Sequence, residues 1–169
     1  LSAGLVGMLV GSLIFGPIAD RFGRKRILVL CTVWFGIFSI LTAQSWSPQS
    51  MLVMRLLTGF GLGGTLPNAI ALTAEYMPRR LRATGVMIMF SGFAIGAAIG
   101  GFASAALISR FGWPSVFFVG GLLPLFVAIL LLRLPESIRF LVVKNHSSAH
   151  VATLLRRVAP DVEIPNDAS

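Results

Sequence analysis

The residues of this chain that could do chemistry are mainly charged side chains at the two ends of one apolar run. Arg55 lies a few positions inside the run 51–74, and Glu75 closes it. Ionisable groups in an apolar environment are costly, so they usually serve a site or a partner. The forked donors of an arginine suit a carboxylate, whereas a glutamate can exchange partners or take part in proton transfer. Twenty residues of helix span about 30 Å, so these two cannot pair with each other.

Both residues also have a purely structural explanation. The long side chain of Arg55 can extend to a membrane surface, with its head in water. Glu75 can be a surface acid that pairs with Arg79 or Arg82 in the following connection. The sequence leaves these alternatives open.

Polar residues also surround a proline in the middle of the same run. Pro67 lacks an N–H group and clashes with the carbonyl of Gly63, which predicts a kink that frees this carbonyl. Thr65 and Asn68 flank the break and are candidate pocket residues, as is Ser91 in the next run. A structural kink with satisfied side chains is an equal alternative.

The sequence contains no pattern typical of an enzyme. There is no phosphate-binding Gly-Lys-Ser/Thr loop and no nucleophile with a histidine and an acid. His146 and His150 have the spacing of a metal pair, but no third ligand or acid supports one, so we interpret them as part of a surface helix. We therefore expect neither a metal nor a cofactor. Cys31 is the single cysteine, which excludes an intrachain disulfide.

The composition is typical of a membrane protein. Hydrophobic residues make up 56% of the chain, charged residues make up 12%, and the mean hydropathy is +0.87. The net charge of +8 alone would suggest a nucleic-acid partner. The basic residues lie between long apolar runs, however, which is the pattern of cytoplasmic loops and argues against nucleic acid.

Five runs are long enough to cross a bilayer, which needs about 20 apolar residues. They predict an all-α polytopic membrane protein with spans at 1–19, 27–43, 51–74, 84–108 and 114–134. The segment 135–169 is expected to lie outside the membrane. It contains a short amphipathic helix at 147–159, where Val151, Leu154, Leu155 and Val158 follow helical spacing.

The distribution of basic residues predicts the orientation of these spans. The first, third and last connections are rich in Arg and Lys, whereas the second has none and the fourth has only Arg110. By the positive-inside rule, we expect the basic connections in the cytoplasm. We also expect the protein to lie in the cell's inner (plasma) membrane.

Glycine predicts which spans are interior, because small residues let helices approach closely in lipid. The fourth span has five glycines, and the first and third have four each. The third and fourth are expected inside the bundle because of Gly59, Gly61, Gly63, Gly64, Gly92, Gly96 and Gly100. The second and fifth spans carry bulky side chains such as Trp34 and Phe126, so we expect them to face lipid.

The first connection, GPIADRFGRKR at 16–26, has a specific arrangement of glycine and charge. Gly16 permits close approach of a helix and Gly23 permits a tight turn. The pattern of Gly16, Asp20, Arg21, Gly23, Arg24 and Lys25 matches G-x-x-x-D-R-x-G-R-K. It resembles the signature of the major facilitator superfamily between its second and third helices. That resemblance implies that Asp20 and Arg24 gate the cytoplasmic side.

Further segments extend the resemblance to most of the chain. LTGFGLGGTLPNAIALTAEYMP, MFSGFAIGAAIGGF, FGWPSVFFVGGLLPL and LPESIRFLVVK resemble the aromatic acid:proton symporters of the superfamily. The five spans then correspond to helices two to six of twelve, most of the N-terminal half. The chain is expected to be a fragment that lacks the first helix and the C-terminal half.

The resemblance implies secondary active transport of a small organic anion, an aromatic carboxylate, with the proton as coupling ion. The expected partners are the lipid bilayer, the missing helices and that anion. A sugar or organic-ion porter is an alternative, because Glu75, Pro78, Arg82 and the PES motif at 135–137 also occur there. A truncated or regulatory membrane protein that does not transport is a second alternative. Ala97 stands where antiporters of the superfamily have proline, which argues against antiport.

Overall fold

The structure, a computed structural model, describes residues 2–133. They form five α-helices joined by short connections: α1 (Ser2–Phe22), α2 (Arg24–Ala43), α3 (Pro48–Tyr76), α4 (Arg82–Phe111) and α5 (Pro114–Leu132). One 3₁₀ turn, Arg79–Leu81, precedes α4. The predicted all-α fold class is confirmed. The predicted central loop and its amphipathic helix lie outside the described residues.

Glycine, proline and serine set the ends of these helices. Gly23 alone separates α1 from α2, with a φ of 102° that side chains rarely tolerate, as expected for the tight turn. The start of α3 is capped by a reciprocal pair of hydrogen bonds between Ser47 and Ser50, with Pro48 in the first turn. Gly112, with a φ of 80°, ends α4, and Pro114 begins α5.

Four stretches are long and apolar enough to cross a membrane: α1, α2, Arg79–Phe111 (which includes α4) and α5. The third helix, α3, is not among them, because Arg55, Asn68, Glu75 and its glycines reduce its hydropathy. Its most extensive contacts are with α1 and α2, so much of α3 faces protein. A helix surrounded by other helices needs less apolar surface than one surrounded by lipid. Spanning of the membrane by α3 remains a prediction.

Glycines bring α1 and α3 into backbone contact. A Cβ added at Gly7 or Gly11 would collide with the main chain of Leu56 or Phe60 on α3. A Cβ added at Gly59 or Gly63 would meet the main chain of α1 in the same way. The glycine-rich α3 is therefore interior, as its sequence predicts.

Helix α2 is buried on one side only, and Leu30, Ile37 and Leu41 on its other side are exposed, so the prediction that α2 faces lipid stays a prediction. Eight residues of α2 are buried, among them Cys31, which is 0% exposed and lies in a core cluster with Phe15 and Ala19 of α1. Gly61 and Gly64 of α3 leave the space that α2 occupies. Bulky residues of α2 thus occupy the space that glycines of α3 leave. The sequence of either helix alone does not show that large side chains on one helix pack against small ones on the other.

The prediction that α4 is interior does not hold for the described residues either. Gly92, Gly96 and Gly100 have no other heavy atom within 4 Å of an added Cβ, and Gly85 is the single buried residue of α4. Near its start, α4 contacts Met77, the residue after α3, through Gly85, and Thr73 of α3 through Met89. No helix within residues 2–133 packs against the glycine face. A packing role for these glycines remains a prediction.

Candidate functional site

The predicted gate is rich in charged residues, and the structure groups these charges at one end of the bundle. We call this end the charged end and define it by Asp20 of α1, Arg24 and Lys25 of α2 and Glu75 of α3. Its centre is Arg24, which lies one residue after the turn at Gly23. That turn reverses the chain so that Asp20 and Arg24 lie on adjoining helices.

Arg24 contacts two carboxylates from different helices. Its Nη2 and Nε atoms donate to Oδ1 of Asp20 at 3.0 and 3.3 Å. Its Nη1 atom lies 3.1 Å from Oε1 of Glu75, within ion-pair range but without the geometry of a hydrogen bond. The side chain of Asp20 is 65% exposed, whereas that of Glu75 is 17% exposed. One guanidinium therefore links α1, α2 and α3 through charge.

The partner of Glu75 differs from the one that its sequence neighbours suggest. One alternative made Glu75 a surface acid paired with Arg79 or Arg82, and the structure places an ion pair between Glu75 and Arg24. The Nε atom of Arg82 instead donates to the carbonyl of Met77 at 3.4 Å. Glu75 points toward the preceding helices, and the partly buried contact with Arg24 is screened less by water and salt than an exposed pair.

Lys25 connects the charged end to α5. Its Nζ atom donates to the carbonyl oxygen of Leu132 in the last turn of α5 at 3.0 Å. A cation there satisfies one of the unpaired terminal carbonyls and is favoured by the helix dipole. Arg21 is exposed, and a Cβ added at Gly16 would meet nothing within 4 Å. The close helix approach expected at Gly16 is therefore not made by the described residues.

Arg55 lies toward the opposite end of α3, as its separation from Glu75 requires. Its guanidinium carbon is 4.6 Å from the centre of the Phe117 ring of α5, a cation–π contact. Arg55 also lines a cavity of about 340 Å³ between the starts of α1 and α3, with Ala3, Gly4, Pro48, Met51 and Leu52. The head group is thus packed on a ring next to a cavity, and is exposed at the same time.

Within residues 2–133, no acidic side chain lies near the positive charge of Arg55. Asp20 and Glu75 are the two carboxylic acids within residues 2–133, and both belong to the charged end. A cation without an acid nearby keeps its hydrogen-bond donors available for an anion. No salt bridge links Arg55 to an acid within residues 2–133, and its role in attracting a carboxylate stays a prediction.

The polar residues in the middle of the helices bond to their own helix. Thr65 Oγ1 donates to the carbonyl of Gly61 at 3.0 Å, and Asn68 Nδ2 donates to that of Gly64 at 2.7 Å. Ser91 Oγ likewise donates to the carbonyl oxygen of Met87 at 3.0 Å. Helix α3 continues through Pro67 without interruption.

The structure does not bring these mid-helix residues together with Arg55. Asn68 is 3% exposed, and ten or more residues of helix, about 15 Å, separate Thr65 and Asn68 from Arg55. These contacts fit the structural alternative for Thr65 and Asn68, and their role in a pocket remains a prediction. No group of three or more His, Cys, Asp or Glu side chains suitable for a metal occurs in the described residues.

Sequence reasoning missed two contacts. It did not identify Phe117 as the partner of Arg55, and nothing in the local sequence marks one ring among many as such a partner. It also did not pair Arg24 with Glu75, although a signal existed. The charge alternation puts residues 21–26 and 79–82 on the same side of the membrane, so Glu75 was within reach of both.

Comparison with known proteins gives a consistent result. The family model of the Major Facilitator Superfamily matches residues 1–157. The chain is 51% identical over 161 residues to the 4-hydroxybenzoate transporter PcaK of Pseudomonas aeruginosa, covering 95% of the chain and 36% of that protein. It is 50% identical over 143 residues to the 3-(3-hydroxy-phenyl)propionate transporter of Escherichia coli, covering 82% and 34%. These similarities confirm the resemblance that the sequence motifs predict.

A similarity of fold extends to solved structures. The inward-open xylose transporter XylE of E. coli matches with a TM-score of 0.76 at 21% identity, over 95% of this chain and 41% of that one. Such identity supports the fold alone. The chain spans about a third of the length of the curated relatives that it matches, 36% for the P. aeruginosa protein.

Proposed function

The chain belongs to the major facilitator superfamily, and from this premise we propose that it forms part of a secondary active transporter that takes up aromatic carboxylates with protons. The observation that carries the substrate class is the similarity to relatives named for 4-hydroxybenzoate, gallate and hydroxyphenylpropionate, at 44 to 51% identity. The likeness to a xylose transporter, at 21% identity, does not favour a sugar.

Arg55 is the residue that would receive the substrate's carboxylate. The absence of a nearby acid within residues 2–133 and the adjoining cavity support this role. A guanidinium can bind a carboxylate through two parallel hydrogen bonds, which fixes its orientation as well as its charge. Arg55 therefore attracts or orients the anion, either directly or by organising the neighbouring helices.

The charged end would act as the cytoplasmic gate. Arg24 contacts Asp20 and Glu75 on separate helices, and such charge contacts can change partners between two conformations. Loss of one partner should shift the equilibrium between the outward-facing and inward-facing states. In the full-length protein we expect Asp20→Asn to reduce uptake by about tenfold or more through this shift, while expression and substrate binding remain largely intact. Wild-type uptake by this variant would indicate that the 16–26 loop sets only the orientation of the helices in the membrane.

Transport also requires helices that this chain does not contain. Transporter sites lie near the middle of the membrane between two structural halves, and the chain covers about a third of its relatives. We therefore expect residues 1–169 alone not to transport, and the complete protein to lie in the inner membrane with the 16–26 loop in the cytoplasm. Saturable uptake by proteoliposomes that contain residues 1–169 alone would contradict this expectation.

Uptake by the full-length protein tests the proposal. Proteoliposomes with an imposed inward proton gradient should accumulate labelled 4-hydroxybenzoate, and a protonophore should abolish the accumulation. Unlabelled gallate should compete, whereas xylose should not. Uptake of xylose in place of aromatic acids would favour the sugar-porter alternative. Absence of any transport from a folded, membrane-inserted protein would favour a regulatory role.

A further inference from the structure

The ring of Phe117 holds an arginine head group without using its hydrogen-bond donors. The guanidinium carbon of Arg55 lies 4.6 Å from the ring centre, well inside the range of about 6 Å for a cation–π contact. An acidic partner would occupy the donors that a substrate carboxylate needs. A ring attracts the cation through its π face and leaves the five N–H groups available.

Several contacts fix the position of this ring. Ser39 Oγ on α2 donates to the main-chain carbonyl of Phe117 at 3.2 Å. Trp113, one turn earlier, meets the Phe117 ring edge-on, with ring centres 5.9 Å apart. Close packing of Gly36 against Gly121 holds α2 and α5 together on the next turn: a Cβ added at Gly36 would lie 2.9 Å from the Gly121 oxygen. The main chain of Phe117 is therefore bonded to α2, and its ring packs on Trp113 as well as on Arg55.

Arg55 without this ring would have many conformations. Its side chain is exposed and rich in rotamers, and neither acid of residues 2–133 lies at its end of α3. Ordering such a side chain at the moment of binding costs conformational entropy, which weakens the affinity for the anion. A contact that orders the guanidinium beforehand removes part of this cost.

We infer that Phe117 is a positioning residue that holds the Arg55 guanidinium ready for the substrate's carboxylate. The inference rests on the proposed function and deepens it. It assigns Phe117 to affinity for the anionic group, with no direct contact to the substrate. The prediction is that loss of the ring face raises the KM for aromatic carboxylates while the maximal rate stays largely unchanged.

The test uses the full-length transporter and labelled 4-hydroxybenzoate. Phe117→Leu removes the π face but keeps an apolar side chain, and we expect its KM to rise about two- to fivefold at matched membrane expression. Phe117→Tyr keeps the ring and should have a nearly wild-type KM. Phe118→Leu is the matched control, because Phe118 is the next residue of α5 and is 39% exposed. Its KM should not change.

A double-mutant cycle separates positioning from other roles. With Arg55→Gln as the background, Phe117→Leu should cause no further change in the dissociation constant for 4-hydroxybenzoate, measured on purified protein. An equal loss in both backgrounds would overturn the inference, because Phe117 would then act on the substrate or on the fold without Arg55. A Tyr variant as impaired as the Leu variant would also overturn it. Uptake failure of the unmodified protein would refute the proposed function and the inference with it, whereas wild-type behaviour of Phe117→Leu would refute the inference alone.

Discussion

Replacing Gly63 by alanine should force α1 and α3 apart. A Cβ at this position would lie 2.8 Å from the carbonyl carbon of Met8 and 2.9 Å from its Cα, and would collide with its oxygen. Ordinary contacts between carbon atoms need about 3.5 to 4.0 Å, so α1 would have to move by roughly 1 Å. The opposing atoms are main-chain atoms, so no change of rotamer can relieve the collision.

The expected cost follows from this geometry. Overpacking of a well-packed interior typically costs about 1 to 3 kcal/mol, and a collision with a rigid main chain belongs in the upper part of this range. The same substitution at Gly96 on α4 meets no other atom within 4 Å in the described structure. Alanine also favours a helix over glycine by about 1 kcal/mol, so Gly96→Ala should be neutral or slightly stabilising unless another part of the protein covers α4.

Thermal unfolding of the two full-length variants in detergent measures the difference. We expect the apparent Tm of Gly63→Ala to fall by about 2 °C or more and that of Gly96→Ala not to fall. An unchanged Tm for Gly63→Ala would refute the close contact of α1 with α3. A fall for Gly96→Ala alone would mean that the glycine face of α4 is the tighter interface in the complete protein.

Three further predictions concern the charged residues and the topology. Arg55→Lys keeps the charge but loses the forked donors, so we expect about tenfold lower uptake efficiency. The control Arg110→Lys, at an exposed position, should behave as wild type. Normal activity of Arg55→Lys would indicate that Arg55 only extends to the membrane surface. Glu75→Gln should impair proton-driven accumulation of labelled 4-hydroxybenzoate several-fold more than counterflow exchange, because it removes an acid that contacts Arg24. Equal loss of both modes would exclude Glu75 from the coupling step. A Ser47→Cys variant should react with an impermeant thiol reagent from the periplasmic side, and reaction from the cytoplasmic side alone would reverse the topology.

The helices could be predicted from the sequence, because each depends on residues that are close along the chain. A long apolar run must satisfy its own main-chain hydrogen bonds in lipid, so it forms a helix wherever it lies. Gly23 separated two helices at the expected place, since a positive φ is a property of a single residue. The family was also visible from one loop, whose glycines and charges stand at fixed spacing.

The candidate site was predictable only in its residue types. Arg55 and Glu75 stood out because charges are rare in apolar runs, and Arg24 stood out as part of the loop motif. Their partners were not predicted. Arg24 of α2 contacts Glu75 of α3, and Arg55 of α3 contacts Phe117 of α5. Which of many similar side chains becomes the partner depends on how the helices cross.

The sequence alone determined the helical class, the position of each helix, the location of the charges and the family, because hydropathy, turn residues and motif spacing are local properties. The tertiary structure decided which glycine stripe became an interface and which remained exposed. Gly63 packs on Met8, whereas Gly96 faces no helix among residues 2–133, although both lie in glycine-rich stretches. Close packing requires a complementary surface on another helix, and the order in which helices pair is fixed by all of these surfaces together.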